Sequence, residues 1–164
     1  MRIETERLYL REMTAADYEA LYAVLADSDI MQHYPYTFDE ARVRGWIDRI
    51  IERYSVFGFG LWAVCLRENG EMIGDCGLTM QLINGQIKPE IGCHIRRDMQ
   101  RRGYAKESAS AVRDWAFCNT PFNAIIHKSG EPAVMPHRGK LGLYPGRRVR
   151  RRGERAYKGV RHHT

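Results

Sequence analysis

Long apolar runs are missing from this sequence. The most hydrophobic stretch, over residues 59–65, is short and is interrupted by Gly60. A membrane-crossing helix needs about 20 apolar residues in a row, so a transmembrane protein is excluded. The first residues, Met1-Arg2-Ile3-Glu4-Thr5-Glu6-Arg7, lack the apolar centre of a signal peptide, and a cytoplasmic protein is the expectation. Cysteine is sparse as well. Cys65, Cys76, Cys93 and Cys118 form no Cys-x-x-Cys pair, and no histidine falls at zinc spacing. Reduced, mostly buried thiols and no metal are expected. There is no internal repeat.

Acidic residues are scarce in one part of the chain only. Residues 127–164 hold 11 Lys and Arg against Glu131 and Glu154, a net of +9. Residues 1–126 hold 15 against 18, a net of −3. The overall charge of +6 therefore belongs to the tail, and the body is mildly acidic. With 164 residues, 44% hydrophobic and 28% charged, the chain has the size and composition of one globular domain.

Residues 2–12 read as a strand, with Leu8 and Leu10 alternating with Arg7, Tyr9 and Arg11. Thr14 followed by Asp17 is a capping-box variant. It opens a helix whose Tyr18, Leu21, Tyr22 and Leu25 share one face. A second box, Thr37-Phe38-Asp39-Glu40, opens a helix with Val43, Ile47, Ile50 and Ile51 on one side. Strands follow over 58–67, 71–82 and 88–96, joined by turns at Asn69-Gly70 and Asn84-Gly85. After residues 100–103 the period becomes helical, with Ala105, Ala109, Val112 and Ala116 in line. Pro121 ends that helix, and residues 122–126 read as one more strand. The order is β-α-α-β-β-β-α-β, an α+β domain.

One segment carries chemistry. Glu90-Ile91-Gly92-Cys93-His94-Ile95-Arg96-Arg97-Asp98-Met99-Gln100-Arg101-Arg102-Gly103-Tyr104-Ala105 runs from a strand through a basic, glycine-containing loop into a helix. Unpaired N–H groups at the positive end of a helix make a ready site for phosphate. Gly103 permits close backbone approach, and Arg101 and Arg102 add charge. Taken without its surroundings, the loop reads equally well as an ordinary strand-to-helix turn with solvated arginines.

The surroundings decide otherwise. The segment resembles the acetyl-CoA-binding motif of the GNAT N-acetyltransferases, (Gln/Arg)-x-x-Gly-x-(Gly/Ala). The opening Thr5-Glu6-Arg7-Leu8-Tyr9-Leu10-Arg11 is similar to that of the RimJ/RimL-like branch, which contains the ribosomal-protein N-terminal acetyltransferases. The resemblance covers residues 2–126. It implies a GNAT-like, mostly antiparallel mixed sheet flanked by helices, and an N-acetyltransferase that uses acetyl-CoA as cosubstrate and no metal. By the resemblance, the pyrophosphate of coenzyme A sits on the amides of Arg101, Arg102, Gly103, Tyr104, Ala105 and Lys106. Its pantetheine arm pairs with His94, Ile95 and Arg96 as a partial strand. An amine acceptor, a protein N-terminus or a small molecule, attacks the thioester directly, which needs a general base or a water relay; Glu90 is the candidate base or else a surface strand residue. Only the backbone of His94 is implied. Tyr34 and Tyr36 are candidates for the acceptor site or plain core and rim aromatics. The partner is thus an amine, with no membrane involved, and the protein is a monomer or a homodimer.

After Ile126 the pattern breaks. The family's last helix and two strands are expected there, with a frequent tyrosine acid, but residues 127–164 show neither alternation nor an apolar stripe. They read as a separate basic tail, irregular or disordered. Plausible codons for residues 144–163, read one nucleotide out of register, restore an alternating segment ending in Val-Tyr-Ala-Ile, as in the family. The tail is therefore expected to be an out-of-frame translation, which leaves the last strand with an open edge and the activity of this chain in question. The Arg-rich run at 147–152 offers a lesser reading, a nucleic-acid or ribosome-associated binding protein. An inactive family member is the third.

Overall fold

The computed structural model describes residues 1–127 and 132–134. The rest of the basic tail, including the Arg-rich run and the whole expected out-of-frame segment, lies outside the described residues. The elements are β1 (Arg2–Glu4), β2 (Leu8–Arg11), α1 (Tyr18–Leu25), α2 (Glu40–Phe57), β3 (Leu61–Leu66), β4 (Met72–Ile83), β5 (Gln86–Ile95), α3 (Tyr104–Asn119), β6 (Ala124–His127) and β7 (Pro132–Val134). The described strands form one sheet in the order β1-β2-β3-β4-β5-β6-β7. Neighbours are antiparallel except β5 and β6, which run parallel across the α3 connection. The α+β architecture is as expected.

Several elements start and stop for local reasons. The expected single strand over 2–12 is two strands. The Thr5 hydroxyl accepts from the Leu8 N–H at 3.0 Å and the Thr5 N–H donates to the Leu8 carbonyl at 2.9 Å, which folds the chain back on itself. Thr14 and Asp17 close as expected, through Thr14 N–H to Asp17 Oδ2 at 2.8 Å, with one 3₁₀ turn before α1. At α2 the cap is Asp39 rather than Thr37: its carboxylate accepts from the Arg42 N–H at 2.9 Å. The Asn84-Gly85 turn has both residues at positive φ, 51° and 75°, as a tight two-residue hairpin requires. Thr120 ends α3, and Pro121 follows it.

The sheet separates two cores. On one face Val43, Ile47 and Ile50 of α2 and Leu21, Val24 and Leu25 of α1 pack on Leu61, Ala63 and Cys65. On the other, Val112 and Ala116 of α3 pack on Trp62, Val64, Cys76, Leu78 and Ile91, with Trp115 edge-on to Trp62 at 4.9 Å. A fully buried side chain of this size contributes about 1.5–3 kcal/mol. Ile51, expected on the apolar face, is exposed.

Two features of the sheet matter for the site. First, β5 meets β6 only at Glu90↔Ile126 and Ile91↔His127, so residues 92–95 have no strand partner on that side among the described residues. Second, β4 and β5 outrun their neighbours: β3 pairs with β4 no further than Gly77. Beyond that, the two strands form an arm whose paired Leu82 and Ile87 are 74% and 70% exposed. The expected open edge on β6 is corrected here, because β7 pairs with it antiparallel from Ala124↔Val134 to Ile126↔Pro132.

Candidate active site

The loop between β5 and α3 reaches α3 through Arg101 at φ 60° and Gly103 at φ 85°. Both positions are left-handed backbone. None of the N–H groups of residues 101–106 donates to a backbone acceptor among the described residues, which leaves the positive end of α3 open to an anion. Arg101 and Arg102 are exposed and in no ion pair among the described residues. Ala105, expected on the core-facing stripe, is exposed and lines a cleft of about 310 Å³ together with Cys93, His94, Ile95 and Gln100.

The loop is held from the far end of the chain. Glu107, on the first turn of α3, accepts from the Thr5 hydroxyl at 2.6 Å, from the Arg7 N–H at 2.9 Å and from Arg7 Nε at 2.8 Å. Arg7 Nη1 donates to the Arg102 carbonyl at 2.9 Å, and its guanidinium lies 4.5 Å from the centre of the Tyr104 ring. Burial opposes charge on Glu107, yet its hydrogen bonds from Thr5 and Arg7 hold the carboxyl below its usual range. On the other side of the loop, Arg97 grips Asp27 and Asp29 after α1 at 2.5–2.7 Å. That hydrogen bond brings the Asp27 carboxyl down to about 2. Glu107 was not singled out in the sequence, although the Thr5-Glu6-Arg7 opening that binds it was.

Main-chain direction sorts the three β5 residues expected to meet pantetheine. The Arg96 N–H donates to the Ile73 carbonyl on β4 at 2.8 Å, and a Cβ on Gly74 would fall 2.1 Å from the His94 carbonyl. His94 and Arg96 thus turn toward β4. Ile95, one residue out of phase, turns to the open edge, where its carbonyl accepts from Gln100 Nε2 at 2.9 Å. Alternation gives Cys93 the same outward direction. Of the expected His94, Ile95 and Arg96, only Ile95 turns its main chain away from β4.

A second cavity, of about 200 Å³, lies under α2 on the opposite face. Glu90, Gly92 and His94 of β5 form its floor with Thr79 of β4, and Tyr34, Trp46, Arg49 and Arg53 form its wall. Cys93 and His94 border both cavities, so the two approach each other through the unpaired part of β5. Glu90 is half-buried and faces this cavity. The His94 side chain is packed inside. It is 7% exposed, and Nδ1 lies 2.7 Å from Oδ1 of the fully buried Asp75 on the neighbouring strand. Tyr34 packs edge-on to Trp46 at 6.0 Å and beside His94 at 6.2 Å. Burial, with Asp75 and Glu90 nearby, raises its hydroxyl to about 12, so it stays protonated. Tyr36 is outside this wall: it is 41% exposed and lies under the Arg42 guanidinium. Asp75, Trp46 and the two arginines were not legible as site residues, because only the strand register and the seating of α2 bring them together. Among the described residues no group of acidic, histidine or cysteine side chains is arranged to hold a metal, and no helix is long and apolar enough to cross a membrane.

The comparisons with known proteins agree with this geometry. The family model described as acetyltransferase (GNAT) domain matches residues 7–131. Protein YkkB of Bacillus subtilis (strain 168) is 29% identical over 153 residues, covering 92% of this chain and 89% of its own. The crystal structure of an acetyltransferase from Agrobacterium tumefaciens str. C58 superposes with a TM-score of 0.65 at 30% identity, covering 76% of this chain and 71% of the other. The ribosomal L7/L12 alpha-N-protein acetyltransferase RimL, in complex with coenzyme A, shares the fold with a TM-score of 0.63 at 17% identity, over 77% of this chain and 73% of its own. A family match over most of the described residues, on a sheet that opens beside a helix N-terminus, means that this chain belongs to the GNAT acetyltransferases.

Proposed function

We propose that this chain transfers an acetyl group from acetyl-CoA to a primary amine. The observation that carries the reading is the run of N–H groups at residues 101–106 that donate to no backbone acceptor among the described residues, next to the unpaired part of β5. Gly103 sits at φ 85°, a left-handed conformation that favours glycine, and a Cβ there would crowd Arg7 Nη2 at 3.2 Å. The amides of Arg101, Arg102, Gly103, Tyr104, Ala105 and Lys106 would hold that diphosphate, and the outward groups of Cys93 and Ile95 would pair with the amides of the pantetheine arm.

Acetyl-CoA supplies the acyl group already activated as a thioester. The chain's own residues do the rest. The cavity under α2 admits the amine, and its aromatic wall of Tyr34 and Trp46 excludes water from the approach. Only a neutral amine is nucleophilic. Glu90, facing the same cavity, takes the proton that nitrogen loses as the N–C bond forms and the C–S bond breaks; the departing thiolate takes up a proton from solvent. Gly92 lies between Glu90 and His94 on one face of β5, where a Cβ would come 3.3 Å from Leu61 Cδ2. A protein N-terminus, as named for RimL, and a small-molecule amine are both acceptors of this chemistry. The described cysteines are all unpaired, which fits a reducing cytoplasm.

The test is a thermal melt of the chain with and without acetyl-CoA. A ligand at 100 times its Kd stabilises a native site by about 2.7 kcal/mol, so the transition rises by several degrees. A cooperative transition that acetyl-CoA does not move overturns the reading.

A further inference from the structure

Arg49 and Arg53 stand one turn apart on α2 and line the acceptor cavity. Neither has a carboxylate partner among the described residues, whereas Arg44 on the same helix is paired with Glu40. Asp48 and Glu52, on the same helix, reach neither of them. Two like charges at this spacing repel and weaken a helix, so the arrangement is unfavourable until an anion joins it. The helix also makes room for one of them. Gly45 lies inside α2, where glycine is a poor helix former, and a Cβ on it would come 3.3 Å from Arg49 Nη1. The Arg49 guanidinium is therefore folded back along the helix, over Gly45.

The cavity that these two cations border holds a single carboxylate, Glu90. Its excess charge is positive, while the group that must react there is an amine. The two requirements are met together by an acceptor that brings its own negative charge. We propose that Arg49 and Arg53 clamp a carboxylate on the acceptor, so that the preferred substrate is an amine bearing a carboxylate within the length of the cavity. Guanidinium forks suit a carboxylate better than any uncharged group. The amine of such an acceptor points to the unpaired edge of β5 and its carboxylate to α2. The proposal rests on the reading of this cavity as the acceptor site.

Acetyl transfer is followed by release of the coenzyme A thiol in two pairs of acceptors. In the first, alanylalanine is compared with alanylalaninamide; in the second, the peptide amides Ala-Glu-NH2 and Ala-Gln-NH2. Within each pair the amines are nearly alike and the carboxylate is present or absent. The first pair reports a small amino-acid-like acceptor, the second an acidic protein N-terminus. At least one carboxylate acceptor is expected to exceed its neutral partner about tenfold in kcat/KM, as a charge-assisted clamp should. In the R49Q/R53Q double variant that preference falls to about one through a higher KM for the carboxylate acceptor, while the shift of the melt by acetyl-CoA stays the same. Equal or better use of the neutral acceptors, a preference that survives in the double variant, or acetyl-CoA binding without transfer to either carboxylate acceptor overturns the clamp. A melt that acetyl-CoA does not move overturns the acetyltransferase reading itself.

Discussion

Replacing Glu107 by alanine should loosen the start of α3 and weaken the cradle it carries. The Glu107 side chain is 17% exposed, and three donors from the first β-hairpin converge on it, Thr5 Oγ1, Arg7 N–H and Arg7 Nε. A hydrogen bond to a charged group contributes about 1.5–3 kcal/mol, and an ion pair as exposed as that of Arg7 about 0–1 kcal/mol. Two of the donors share one oxygen, so their contributions are not independent. A loss of about 2–3 kcal/mol is expected for the variant. For a chain of this size each kcal/mol moves the Tm by about 2–4 °C, so the Tm should fall by roughly 5–10 °C. Urea melts at constant m-value separate this from a change in the unfolded state. Arg7→Ala removes the same link from its other end, so the two substitutions should not add: a coupling of about 1 kcal/mol or more is expected in the double variant. An E107A Tm within about 1 °C of the parent, or strict additivity with R7A, would refute the reasoning.

Other perturbations follow from the same geometry. Gly103→Val forces a β-branched residue to φ 85° and adds atoms in the cradle, so isothermal titration should find acetyl-CoA binding lost while circular dichroism stays native. Ile47→Ala opens a cavity beneath α2, where Ile47 is 2% exposed; chemical melts should show a loss of about 2–5 kcal/mol. Glu107 and Asp17 both have depressed carboxyl pKa values in the folded chain, so their stabilisation is present above the ordinary carboxyl range and disappears as pH falls through the folded values. The Tm should drop between about pH 5 and pH 3, and less steeply for E107Q. With a thiol reagent, Cys118 is exposed and should react at once, whereas burial raises the thiols of Cys65 and Cys76 and keeps them slow; mass spectrometry of labelled peptides gives the order.

Much of this fold can be read from residues that act on their near neighbours. The stripe Val43, Ile47 and Ile50 places α2, Asn84-Gly85 closes a hairpin of fixed register, and the glycine-containing loop before α3 announces an anion cradle. What escapes is of two kinds. At Thr5 and at Thr37 to Asp39, short polar side chains offer the backbone competing hydrogen bonds, and only the folded geometry chooses between them. The other kind depends on distance: His94 meets Asp75 and Glu107 meets Thr5 only once strands and helix are in place. Arg49 and Arg53 look like ordinary surface charges of a helix until α2 is seated over β5. The fate of the sheet beyond β6 was misread because a three-residue strand with Pro132 at its start carries almost no signal.

The protruding hairpin arm has a consequence for how the acceptor enters. A two-stranded ribbon without a third strand is marginally stable in water, and the outer part of the arm, residues 80–83 with 86–89, has neither β3 nor β6 beside it among the described residues. Its amides should exchange with deuterium far faster than those of Trp62 to Val64 opposite Gly74 to Cys76. Yet Gln81 and Glu90, which line the cavity under α2, lie on that arm or at its root. Part of the lining of the cavity under α2 therefore belongs to the part of the sheet that breathes most easily. Its mouth can widen by local opening of a few strand residues while both cores stay closed, so admission of bulkier amines does not require the domain to loosen as a whole.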